Sequence, residues 1–116
     1  MEREVKEVKA VAAQGDVLVN RVDKIPEGFV AVSDNVVGHS ETGHHHVAMG
    51  GTLYRNPSEP FLAYLALKEP VDIVHQRSFD THTALRLLKD DSVGETIFEI
   101  HNQVEYTPEG WRRAQD

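Results

Sequence analysis

Three consecutive histidines stand in the run Thr42-Gly43-His44-His45-His46-Val47. In an extended strand residues two apart point the same way, so His44 and His46 present two imidazoles on one face while His45 turns to the other. Two neutral ring nitrogens side by side suit a divalent transition metal such as Zn, Fe, Ni or Cu, and a complete site then needs a further donor from elsewhere in the chain. The residues that could supply it are His39 and Glu41 just upstream, His75, and His82 within Asp80-Thr81-His82-Thr83. His101 shares a strand face with Glu99 and Gln103, which suits it better to supporting a ligand than to being one. The competing reading of such a run is a solvated turn, in which histidine serves as a surface polar group or a pH-sensitive contact.

Composition narrows the remaining chemistry. The chain has 116 residues and no cysteine, so no thiolate site and no disulfide framework is available, and any metal must be held by His, Asp or Glu. A formal charge of -7 argues against nucleic acid as a partner, because phosphate binding rests on clustered Lys and Arg, and the densest basic pair is Arg112-Arg113. The longest apolar stretch, Phe61 to Leu67, is far short of the roughly 20 residues a spanning helix needs, and the first 16 residues are charged rather than signal-like. No membrane partner is expected, and the expected location is the cytoplasm, with virion association left open. No nucleophile elbow or phosphate-cradling loop is present, and Ser40-Glu41 beside histidines is too common a grouping to indicate a hydrolase. Glu99, Glu105 and Asp80 read as solvated strand positions rather than an acid-base pair.

The elements that must position the histidines read as strands. Apolar residues make up 40% of the chain and charged residues 27%, a globular balance, and the length fits one domain over residues 1–116, with a charged N-terminal segment at 1–12 and a C-terminal turn and tail at 107–116. The opening segment fits a helical turn or an alternating edge strand equally well. Val17 to Val22 is β-branched and bounded by Gly15-Asp16 and Pro26-Glu27-Gly28, Phe29 to Ser33 repeats the pattern, and Asp34-Asn35 breaks it before Val36-Val37. His44 to Met49 and Thr52 to Arg55 flank Gly50-Gly51, a dipeptide that predicts a hairpin and places the histidines on or just before one arm. Pro60 and Pro70 bracket too few residues for an ordinary helix, so Phe61 to Leu67 is predicted to be a buried strand.

Val71 to His75, Thr81 to Leu88 and Glu95 to Tyr106 complete the set. In the last, Thr96, Phe98, Ile100, Asn102, Val104 and Tyr106 alternate with Ile97, Glu99, His101, Gln103 and Glu105, one face for the core and one for water. Within Thr81 to Leu88 the same alternation puts His82 with Ala84 and Arg86, opposite Thr83, Leu85 and Leu87. The predicted fold class is all-β, a small barrel or sandwich of about seven or eight short strands. Pro108-Glu109-Gly110 reads as a turn that brings Trp111 back onto the domain.

Two resemblances follow from these motifs. Gly43, His44, His46 and Gly50 or Gly51 resemble part of the first motif of the cupins, small β-barrel metalloproteins, although the glutamate of that motif has no counterpart between Val47 and Asn56. More broadly, the runs Ala13-Gln14-Gly15-Asp16-Val17-Leu18, Thr42-Gly43-His44-His45-His46 and Gln103 to Arg113 look like those of a small uncharacterised family of bacterial and phage proteins, with His82 matching a further histidine of that family. The resemblance implies no activity. It raises His44, His46 and His82 as the metal-ligand set, leaves His39 or His75 as the fourth ligand, and makes a phage or prophage origin plausible.

The expected function is therefore a β domain binding one divalent transition metal (Zn, Fe or Ni). If it is an enzyme, the metal would activate water or polarise a carbonyl, with Glu41 the candidate base; the small-molecule ligand is unknown. The alternative is a non-enzymatic phage-related interaction or structural protein, in which strand edges and Trp111 mediate homo-oligomeric assembly.

Overall fold

A computed structural model describes residues 5–14, 17–39, 45–75, 84–102, 104–107 and 110–113. These form thirteen strands in chain order: β1 (Val5–Val8), β2 (Val11–Gln14), β3 (Val17–Val22), β4 (Val30–Val32), β5 (Val36–His39), β6 (His45–Ala48), β7 (Thr52–Arg55), β8 (Leu62–Leu67), β9 (Val71–His75), β10 (Ala84–Leu87), β11 (Thr96–Asn102), β12 (Val104–Thr107) and β13 (Gly110–Arg113). Eleven of them make two sheets, ordered β1-β10-β9-β6-β5 and β2-β3-β11-β8-β7-β4, and β12 pairs with β13 in a separate ribbon. The fold is all-β and sandwich-like. It is not a closed barrel, because each sheet ends in its own outer strands. The strand number also exceeds the seven or eight expected, since the charged N-terminal segment contributes β1 and β2 and the C-terminal turn adds a ribbon.

The two sheets share one core. Val8, Val37, Ala48, Val71, Ile73, Leu85 and Leu87 from the first meet Ala12, Val17, Val19, Leu53, Leu65, Leu67, Phe98 and Ile100 from the second. Burying a side chain such as Phe98 or Leu65 fully contributes about 1.5–3 kcal/mol. The alternation expected for Thr96 to Asn102 is present: Thr96, Phe98 and Ile100 are buried, while Ile97, Glu99 and His101 are only partly so. β8 is buried on both faces, as its uninterrupted apolar run requires. Its outward Tyr64 lies under Phe29, with ring centroids 4.8 Å apart at an interplanar angle of 83°.

Two local expectations differ from the structure. Gly50-Gly51 does not close a hairpin: β6 pairs with β5 and β9, whereas β7 pairs with β4 and β8 in the other sheet. The glycines arch between sheets. Gly51 has φ +76°, and a Cβ there would stand 2.9 Å from the Ala66 carbonyl oxygen, so the same residue chemistry that permits a tight hairpin serves a close inter-sheet crossing. The long strand expected over Glu95 to Tyr106 ends at Asn102, because its partners end there: Asn102 pairs with Val17, the first residue of β3, and His101 with Leu62, the first of β8. Past that point the chain pairs with its own continuation, Tyr106 opposite Trp111.

Candidate functional site

Strand ends gather the polar residues at one end of the sandwich. In the five-stranded sheet β5 finishes at His39, β6 starts at His45 and β9 finishes at His75; in the other sheet β2 finishes at Gln14 and β11 at Asn102. Backbone register places His39 opposite His45, and His46 between Gly38 on one side and His75 on the other. Antiparallel partners lie roughly 5 Å apart at Cα.

His46 is buried at 4% exposure because alternation along β6 turns it, with Ala48, toward the core. Its Nδ1 lies 2.8 Å from Oε1 of Gln14, itself buried at 5% on β2. The Gln14 Nε2 donates to the Ile73 carbonyl at 3.1 Å. A carbonyl can only accept, so the amide orientation is fixed and Oε1 must receive the His46 proton. In the neutral ring this puts the hydrogen on Nδ1, and Nε2 is the nitrogen whose lone pair can accept, from a donor or from a metal ion. An imidazole oriented through one nitrogen in this way is the arrangement commonly found behind metal-ligating histidines.

Gly38 lies beside that ring and close against Val17. A Cβ at that position would come within 2.6 Å of Val17 Cγ2, with His46 Cδ2 at 3.6 Å and Asn102 Nδ2 at 3.7 Å. Asn102 thus reaches the same interior region, and its buried Oδ1 has no hydrogen-bond partner among the described residues. A buried amide oxygen in that condition costs free energy unless something donates to it.

Of the residues singled out from sequence, His44, His82 and Glu41 lie outside the described residues. His46 and His75 are brought together by register, and His39 is set beside His45 one step away. His101 is separated from them: it alternates to the outer face of its sheet, opposite Leu18 and Leu62. In β10, Leu85 and Leu87 belong to the core, while Arg86 is held on the outside by both carboxylate oxygens of Asp72, at 2.7 and 3.1 Å. Glu99 is likewise occupied, accepting the Tyr64 hydroxyl at 2.8 Å. Among the described residues no three His, Asp or Glu side chains form a metal-sized group, and no helix is long and apolar enough to cross a membrane.

Sequence reasoning missed Gln14 and Asn102. A signal for Gln14 existed: in Val11-Ala12-Ala13-Gln14 the alternation that buries Ala12 also buries position 14, and an amide on an inward strand position requires a partner.

No curated protein and no solved structure matches the chain. One family model matches residues 13–89, about two thirds of the length. The stretch contains Gln14 and every histidine except His101, and it leaves the Tyr106 to Arg113 motif outside; it carries no cupin description. The match covers more than half of the chain, which therefore belongs to the domain family of unknown function DUF8820.

Proposed function

We propose that this domain binds one divalent transition metal at the strand end around His46. The observation that carries the reading is the Gln14–His46 hydrogen bond, which holds the ring in the core and gives its Nε2 the lone pair. His44, two residues away in the sequence, is the second ligand. The third comes from His82 or His75, with His39 completing the set. Register favours His75, the direct partner of His46. Asn102 Oδ1, which has no hydrogen-bond partner among the described residues, would be an acceptor beside the metal, and Glu41 is the candidate base if the domain is an enzyme. Zn, Fe and Ni all suit an imidazole-rich site. The partial cupin likeness at Gly43, His44 and His46 is in keeping with a metal there.

The test is elemental analysis of untagged protein purified without a metal-affinity column, beside His46→Ala and His75→Ala variants shown by circular dichroism to fold. Near-stoichiometric metal in the parent and loss in both variants supports the site. No metal in the parent after attempted loading overturns it. The second reading is a phage-related assembly domain. It is favoured by the apolar residues on outer strands, Val30 at 61% exposure on β4 and Val11 at 58% on β2, and it predicts a melt indifferent to chelator and a concentration-dependent oligomer.

A further inference from the structure

A concavity of about 600 Å³ opens on the flank of the sandwich formed by β4 and β5, the outermost strands of their sheets. Its wall is mainly apolar: Val30 and Val32 from β4, Val36 at the start of β5, and Pro57 and Pro60 from the β7–β8 connection. Two charged side chains interrupt it, Arg55 and Asp34. The size lies within the range usual for small-molecule sites, which are mostly apolar with a few placed polar groups.

Both charges line the same concavity. Arg55 is partly buried, and its Nη2 donates to the Val36 carbonyl at 2.8 Å. That is its one hydrogen bond among the described residues, which leaves the rest of a five-donor fork open to solvent or a ligand. No described carboxylate comes within 4.0 Å of the guanidinium. Burial lowers the Arg55 pKa and the field of Asp34 opposes that shift, so Asp34 is near enough to be felt without forming an ion pair. Asp34 is itself oriented: its Oδ1 accepts the Val36 N–H at 3.1 Å. An anion alone would be drawn to Arg55 and repelled by Asp34, and a cation alone the reverse. A ligand carrying an anionic and a cationic group on one carbon satisfies both.

We propose that this concavity binds a small zwitterion with an apolar side chain, of the class of hydrophobic α-amino acids. The carboxylate sits on Arg55, where the planar fork can hold it through paired hydrogen bonds. The ammonium sits toward Asp34, and the side chain lies against Val30, Val32, Val36 and the two prolines. The site is on the flank of the sandwich and independent of the histidine end.

The test is isothermal titration of the full chain with L-leucine, with 4-methylpentanoate, which lacks the ammonium, and with 3-methylbutylamine, which lacks the carboxylate. Leucine is expected to bind at least tenfold more tightly than either half, and Arg55→Gln to abolish that advantage. Because Arg55 also ties β7 to β5 and its loss could unfold the domain, Asp34→Asn is the second variant; asparagine retains the acceptor for the Val36 N–H, and it is expected to lower leucine affinity at least tenfold in a folded protein. No binding of leucine at millimolar concentration, equal binding of all three ligands, or unchanged leucine affinity in Asp34→Asn overturns the proposal.

Discussion

Gln14 on β2 and His46 on β6 are joined by a 2.8 Å hydrogen bond that crosses the interior from one sheet to the other. The same glutamine binds the Ile73 carbonyl on β9, so one side chain fixes the orientation of a buried ring and ties an outer strand to the opposite layer. Gln14→Leu keeps an apolar stem and leaves both of those groups without this partner. The expected cost is about 1–3 kcal/mol in urea unfolding, and under the metal reading a 10–100-fold loss of affinity in a zinc titration. An unchanged midpoint and unchanged affinity would refute the bridging role.

Tyr64 and Glu99 report on the outer face of the larger sheet. Burial, then the hydrogen bond to Glu99 and the charges of Glu99 and Glu59, push the Tyr64 phenol up to about 12. A group whose folded pKa is raised contributes stability that is fully present below its unfolded value, near 10, and lost as pH rises through the folded one. An ultraviolet absorbance titration of the three tyrosines is expected to show one phenolate forming near 12, absent in Tyr64→Phe, and the variant's stability should decline less between pH 10 and 12.

Gly38 is required for contact, not for backbone freedom. A Cβ would stand 2.6 Å from Val17 Cγ2, so Gly38→Ala should destabilise by about 1–3 kcal/mol through overpacking. Val17→Ala alone opens a cavity, but the pair Gly38→Ala/Val17→Ala should be less destabilised than the sum of the two changes. Additivity in the double-mutant cycle would show that the two positions do not compete for space.

The acid limb of the stability curve has a specific contributor. Asp90 is held down to about 2 by the Ser92 side chain and amide and by Arg21, whose Nη1 lies 3.0 Å from Asp90 Oδ2. A depressed carboxyl contributes stability above its ordinary value near 3.8, and that contribution is lost as pH falls toward 2. Asp90→Asn should therefore flatten the dependence of the unfolding midpoint on pH between about 4 and 2, with little change in slope above it. A slope identical to the parent's in that window would refute the assignment.

Where local patterning decides structure, the sequence was legible. The Pro-bracketed run Phe61 to Leu67 became a buried strand, and Thr96 to Asn102 divided its faces as period-two alternation requires. The opening segment was ambiguous because Val5 and Val8 suit either period; pairing settled it, with β1 running parallel beside β10. The histidine end was half legible. His46 stood out by residue type, whereas its partner is 32 residues away in sequence, and no local pattern links the two.

By itself the sequence determined the all-β class, most of the strand positions, and the restriction of any metal site to His, Asp and Glu. Those follow from short-range properties: side-chain direction alternates every residue, proline stops helices, and a chain without cysteine has no thiolate. Only the tertiary structure decided that Gly50-Gly51 arches between sheets instead of closing a hairpin, that β11 stops at Asn102, that His75 lies beside His46, and that Gln14 reaches across to it. Each of these depends on which strand lies next to which, and that is set by the packing of two sheets over a common core, a free energy shared among distant residues and carried by no single segment.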